Sequence, residues 1–568
     1  MTERQRRRIG AIAVMLLAAG LPVAEAGLLT WAGVPSIAGI APQVTAPPPF
    51  GVYHDLRWVF VFHDSWAAFG GELVALVVFR TLLNTVLVTL AWPPDTARPP
   101  LRRLLTSNAL CVLLLVVLLS PWVTIAAMGA ATSLSWLVFS SMLPLVLLAL
   151  VVNRGGIVPG WWRYPPSPIT VGIALLTFLS LTAGSTAVSA APGGWRVPAA
   201  GVSGLVNAGL WAWLVRTVAQ RRRPVVPAFV TPLAIALIPA LILGAGSQII
   251  GLQQGPPQPG IDKIRADRLS PLHGRQVIYL QGYDSAYTGT RMPDYPPSLT
   301  FTYYSYRGQY HDGAPLPYRP KATHQSLKVL ADRLARQIDT IHRRTGREVA
   351  ILAQSEGTFI ARTYLREHPH PHVDTVVLLS PLVRPARIHY PPRAADSGWG
   401  IALGWEMRML TALSRLRTGS TVSADEPFVR SVMREGPFFR DRMLCPVPHT
   451  RMLALLSTAD AAAVPPGHLT DVKAIEVQAL HGSLNAKRDD RHKIADALLG
   501  RPVDSARLTT YRIVQWAAAG WQVPPLPLSF VPAWHAEDTP DAALDGTDGC
   551  KADFSRTPSA SGGKPGHH

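Results

Sequence analysis

Val349-Ala350-Ile351-Leu352-Ala353-Gln354-Ser355-Glu356-Gly357 is the stretch on which the reading of this chain turns. Val349–Ala353 is a short apolar run of strand length, and a helical pattern follows Ser355 through about Glu367. A serine at such a junction sits on a sharp strand-to-helix turn, so tight that the residues two before and two after it must be small. Here they are Ala353 and Gly357. The pattern is G-x-S-x-G with Ala for the first Gly. A bare small-x-Ser-x-Gly string recurs by chance, and a helix N-cap serine would look the same. The strand before and the helix after favour Ser355 as a nucleophile.

The flanking sequence repeats the alternation. Val277–Leu280 and Leu299–Tyr304 read as strands, and Leu327, Leu330, Ala331, Leu334, Ile338 and Ile341 recur at helical spacing up to Gly346, a C-terminal glycine. Thr375–Leu379, Met452–Leu456 and Ile475–Gln478 supply further strands. Strands separated by helices imply a mostly parallel sheet with helices on both faces.

Two later strand ends carry polar residues. Asp460 follows Met452–Leu456, where an acid can hold an imidazole in one tautomer; Asp441 and Asp471 are its rivals. His481 follows the last strand, where it can serve as general base to Ser355 and general acid to a leaving group; His449 and His468 are its rivals. Each also has a plainer reading, as a turn aspartate and a loop histidine.

With Ser355, Asp460 and His481 in that order, and the strand end Leu280-Gln281-Gly282-Tyr283, residues 262–525 resemble the α/β-hydrolase superfamily, within it membrane-associated serine esterases and lipases. The resemblance implies an α/β-hydrolase fold and an oxyanion hole built from the backbone amides of Tyr283 and Glu356. Gln281 stands where the family usually has His, which with Ala353 weakens any subfamily assignment. The resemblance also implies a cap in the insertion 382–444, whose helix Ile401–Arg417 carries Trp405, Met407, Met409 and Leu410. A surface helix on the sheet edge fits that insertion equally.

The first half is different in kind. Residues 1–250 hold no Lys, 16 Arg and six acids. Seven apolar stretches, at 9–29, 71–92, 107–128, 134–152, 169–190, 197–215 and 228–250, reach or approach the roughly 20 residues a membrane-spanning helix needs. Together they predict a polytopic α-helical membrane bundle over 1–250. The first stretch also has a signal peptide's outline, but the apolar run continues past Ala24-Glu25-Ala26, which favours an uncleaved helix. With the N-terminus inside, the inner segments hold 12 Arg and the outer loops only Arg57 and Arg196. This bias predicts a multi-pass cell-membrane protein with a cytoplasmic N-terminus and residues after 250 outside the cytoplasm. Arg80, within an apolar stretch, is expected to pair inside the bundle, with Glu72 or a backbone carbonyl.

The remaining organisation is a linker at 251–261, a catalytic region at 262–534 and a polar tail at 535–568, read as disordered. The 568 residues carry 54 basic against 36 acidic side chains, a net charge of +18, yet only 16% are charged and the mean hydropathy is +0.18. Ten of those charges (16 − 6) lie in the membrane half as topology signals, so nucleic acid is not implied. No cofactor motif or metal-ligand cluster is visible, and protein partners are not indicated. Cys445 and Cys550 could pair in an oxidising compartment, while Cys111 lies in a membrane helix. The expected function is cleavage of an acyl ester or lipid-like substrate among membrane lipids, by a covalent acyl-enzyme. The alternatives are an acyltransferase with the same triad, or a non-enzymatic transporter or scaffold with a degenerate hydrolase domain.

Overall fold

The computed structural model describes residues 3–158, 160–163, 165–220, 227, 231–235, 237, 274–289, 295–368, 372–418, 422–466, 471–485 and 487–526. The first half holds α1 (Glu3–Trp31), α2 (Phe50–Val61), α3 (Trp66–Ala91), α4 (Leu101–Thr132), α5 (Ser135–Val152), α6 (Pro168–Ala190) and α7 (Arg196–Gln220). All but α2 are long and apolar enough to cross a membrane, six such helices among the described residues. They match six of the seven expected stretches. Of the seventh, 228–250, only 231–235 and 237 are among the described residues, and the linker 251–261 and the tail 535–568 lie outside them.

The segment between α1 and α3 is not the plain outer loop the sequence suggests. It folds as a 3-10 stretch, Pro35–Gln43, and the 12-residue α2, both largely buried. Buried on nearly every side, α2 has no polar face, and it is too short to register as a span. It supplies the partner of Arg80: the guanidinium grips the Asp55 carboxylate through Nε and Nη2 and donates from Nη1 to the Val44 carbonyl at 2.7 Å. The backbone-carbonyl expectation therefore stands, and Glu72 is replaced by an acid 25 residues away. Close helix contact rests on small residues. A Cβ on Gly204 of α7 would lie 2.1 Å from the Ala18 carbonyl of α1.

The second half is built on six strands: β1 (Arg275–Leu280), β2 (Leu299–Tyr303), β3 (Val349–Gln354), β4 (Val373–Leu379), β5 (Arg451–Ser457) and β6 (Lys473–Val477). They form one sheet of order β2-β1-β3-β4-β5-β6, parallel throughout. Most central-strand positions are buried, the signature of a sheet covered on both faces. Helix α8 (Leu327–Thr345) lays its Leu327, Leu330, Leu334, Ile338 and Ile341 into the core and ends at Gly346, left-handed at φ 63°. Helix α9 (Glu356–Glu367) follows β3 directly and packs on α8. The remaining helices are α10 (Ile401–Thr418), α11 (Pro427–Arg434), α12 (Gly436–Arg442), α13 (Arg488–Leu498) and α14 (Thr509–Ala519).

The two halves share a core. One buried apolar cluster joins Phe50, Tyr53 and Leu115 of the bundle to Tyr390, Met407, Trp521 and Leu526. Trp521 lies against Phe178 with centroids 4.9 Å apart and donates to Thr182 Oγ1 at 3.1 Å. Arg57 donates to the carbonyls of Gly520 and Gln522, each at 2.7 Å. Within the insertion, helix α10 packs chiefly on α4, with Ser120 donating to Glu406 at 2.5 Å. Cys445 is disulfide-bonded and Cys111 is free; Cys550, its expected partner, lies outside the described residues.

Candidate active site

Strand β1 connects to β2 on one side, and β3 lies on its other side, so the chain reverses direction across the sheet between β1 and β3. In an open parallel sheet such a reversal leaves a crevice at the carboxyl ends of the strands. Ser355 stands at that end of β3 and Gly282 at that of β1.

The backbone of Ser355 is strained, with φ 53° and ψ −117°. A non-glycine residue at positive φ is held there by its surroundings. The Ser355 amide donates to the Leu379 carbonyl at 3.0 Å, and the Ser355 carbonyl accepts from the Thr358 amide at 2.9 Å. The turn has room only for small neighbours. A Cβ on Gly357 would lie 2.7 Å from Leu280 Cβ, and one on Gly282 would lie 3.1 Å from Ser355 Cβ. Ser355 itself is 8% exposed.

Asp460 lies in the 3-10 turn Thr458–Ala463 that continues β5. This turn is tied to the loop after β6: Ser457 donates to the Ala479 carbonyl at 2.5 Å, and Thr458 to that of Val477 at 3.0 Å. Gln354 donates to the Gly482 carbonyl at 3.2 Å, drawing the same loop toward β3. His481 is thereby placed between the other two, its Nδ1 2.9 Å from Asp460 Oδ1 and its Nε2 2.8 Å from Ser355 Oγ. Burial works against a charged ring at His481, but the charge of Asp460 and its hydrogen bond outweigh burial and raise the pKa above the ordinary imidazole value. With Nδ1–H given to the carboxylate, Nε2 is left as acceptor for the serine proton.

The rivals lie elsewhere. Exposed His449 precedes β5 and exposed Asp471 precedes β6, both at the opposite end of the sheet. Asp441 belongs to α12, and His468 lies outside the described residues.

Around the β1 turn the structure adds residues that the sequence did not single out. Tyr306 donates to the Gln281 carbonyl at 2.7 Å and Tyr318 to Gln281 Oε1 at 2.8 Å. Tyr283 stacks on His324 at 4.8 Å and donates to Glu426, which places the end of the insertion beside the crevice. Buried tyrosines tend to spend their hydroxyls on such bonds, and the TYYSY run was the available signal. Glu356 opens α9, where the first amides lack helical partners. Its carboxyl is fully buried, and burial, with the charges of Glu426 and Asp284, holds its pKa well above the usual carboxylate range.

Among the described residues no cluster of His, Cys, Asp and Glu has metal-site geometry. No family model and no curated protein matches this chain. Among solved structures, the crystal structure of Aspergillus fumigatus lipase B aligns with 74% of this chain and 97% of its own, at 13% identity and a TM-score of 0.23.

Proposed function

We propose that this protein is a polytopic membrane serine hydrolase that cleaves an acyl ester outside the cytoplasm. The observation that carries the reading is the chain of contacts from Asp460 through His481 to Ser355, at 2.9 and 2.8 Å, on a strained turn at the sheet's crevice. His481 Nε2 takes the serine proton as Oγ attacks the ester carbonyl. The negative oxygen that forms is received by the amides of Tyr283 and Glu356. His481 then returns the proton to the leaving alcohol, and water releases the acyl group by the same steps in reverse order. Asp460 holds the ring and stabilises its transient charge.

Sidedness is supported by where the two halves meet. The second half touches Gln43, Arg57 and His63, the α4–α5 turn, and Thr182 and Ser185 of α6. Arg98, Arg102, Arg103, Arg154 and Arg163 flank the opposite ends of α3 to α6. An amphiphilic substrate is supported by α10, whose Trp405, Met409, Leu413 and Leu416 are exposed at helical spacing. The helix meets α4 at Ser120. At 1.5 Å per residue this point is about 26 Å beyond Arg103, near the outer edge of a hydrocarbon core about 30 Å thick.

Activity-based labelling tests the reading. A fluorophosphonate should label the wild-type protein in membranes and leave Ser355→Ala unlabelled; equal labelling of both would refute it. On the purified protein, p-nitrophenyl esters of rising chain length test the substrate, and a steep preference for acetate would count against a lipid. A reporter fused after Gly260 that works only in the cytoplasm would overturn the sidedness.

A further inference from the structure

The carboxylate of Asp460 accepts a second hydrogen bond, and its donor comes from the membrane bundle. Ser135 Oγ donates to Asp460 Oδ1 at 3.1 Å, the same oxygen that faces His481. Ser135 is 2% exposed, Asp460 is 7% exposed, and Asp460 Oδ2 is buried without a hydrogen-bond partner. Ser135 and His481 are thus the two side-chain donors to this carboxylate among the described residues.

The turn that presents Ser135 is fixed from both sides. Ser133 adopts φ 57° and donates its hydroxyl to the Val383 carbonyl. The Ala386 amide donates to the Ala131 carbonyl at 2.7 Å and the Arg387 amide to that of Ala130 at 3.3 Å, closing α4 onto the second half. The turn carrying Asp460 is fastened along a second route. Gln522 donates to the Ala462 carbonyl at 2.9 Å, and Arg57 of α2 donates to the Gln522 carbonyl at 2.7 Å.

We infer that Ser135 is a positioning residue for the proposed triad, so that the membrane bundle completes the active site as well as anchoring it. The inference rests on the serine hydrolase reading. Ser135 breaks and forms no covalent bond. Its hydroxyl fixes the rotamer of Asp460 and shares the charge on Oδ1, which sets the angle at which the carboxylate meets His481 Nδ1–H. Losing one hydrogen bond to a buried charged group affects the transition state, where the imidazolium forms, more than substrate binding.

The test uses full-length protein in lipid nanodiscs, p-nitrophenyl butyrate as the probe, and the variants Ser135→Ala, Ser135→Thr, Ser141→Ala and Ser355→Ala. Ser141 lies on the same helix and donates to the Val138 carbonyl at 2.7 Å, so it reports on general disturbance of α5. For Ser135→Ala, kcat should fall about 10- to 100-fold with KM within about twofold and thermal stability retained, the size expected for a lost bond to a charged group. Ser135→Thr, which keeps the hydroxyl, should recover most of the loss, and Ser141→Ala should turn over like the wild type. An unchanged kcat in Ser135→Ala, a Thr variant as slow as the Ala variant, or parallel losses of kcat and stability that include Ser141→Ala would each overturn the inference. Turnover retained in Ser355→Ala would instead remove the hydrolase reading, and this inference with it.

Discussion

Two histidines, buried His54 in the first half and half-buried His481 in the second, each sit between two partners. In the bundle, His54 places Nε2 2.9 Å from Glu25 Oε1 and Nδ1 2.8 Å from Asp55 Oδ1. In the crevice, His481 places Nδ1 against Asp460 and Nε2 against the Ser355 hydroxyl. A carboxylate on each side asks both nitrogens of His54 to donate, which only the imidazolium can do. One carboxylate and one hydroxyl let His481 stay neutral, with a lone pair free to take a proton. The same ring faces two carboxylates in one place and a carboxylate and a hydroxyl in the other. Arg80 completes the first arrangement by gripping Asp55; among the described residues no Lys or Arg pairs with Asp460, whose other donor is the neutral Ser135.

Breaking the crevice should have the largest effect. Ser355→Ala and His481→Ala should each lower kcat/KM by at least about a thousandfold, and the double variant should be no worse than either single, because such residues act as a unit. Single-turnover assays on purified protein decide this; a near-normal His481→Ala would assign the base elsewhere.

Breaking the bundle network comes next and should spare the chemistry. Arg80→Ala strips the guanidinium from the Asp55 carboxylate and leaves it only His54, and losing one member of a buried ion pair destabilises by about 3–5 kcal/mol. Thermal unfolding in detergent should show it, while the molecules that stay folded should label with fluorophosphonate at the wild-type rate. A slower rate among folded molecules would show that the network also governs the crevice.

The pH profile sharpens the contrast. His481 must be neutral to act as base, so kcat/KM should rise with pH through a limb above about 6.5, the ordinary imidazole value. Asp460→Asn removes the charge that raises the ring's pKa and should move that limb downward. A limb that stays put would mean another group controls it.

The smallest effect belongs to Glu356. Its raised pKa keeps the folded carboxyl neutral where the unfolded one ionises. Its contribution is therefore fully present below the unfolded pKa and is lost as pH rises through the folded one. Glu356→Gln has no such loss, so its melting temperature relative to the wild type should climb between pH 5 and pH 9. A flat difference would place an ionised Glu356 in the fold.

Much of the framework was legible because its signals are local. Apolar length marked seven stretches, six of which are helices long and apolar enough to cross a membrane, and Gly346 marked the end of α8 because a residue tolerant of positive φ closes that turn. Ala353 and Gly357 marked the strained turn at Ser355 because sterics within five residues dictate it. The order of Asp460 and His481 along the chain suggested a partnership without showing how near they come.

What only the tertiary structure decided lies at long range. The partner of Arg80 is 25 residues away on α2, a helix with no face for periodicity to detect. The helix of the insertion fits a cap and a surface helix on the sheet edge equally in sequence, and its packing on α4 is set at long range. Ser135, 325 residues before Asp460, looks in sequence like any serine at the start of an apolar helix. Propensity and periodicity act over one or two turns of chain. Which donor meets a buried carboxylate depends on how all the layers close, because the cost of leaving that group unpaired is met only in the packed state.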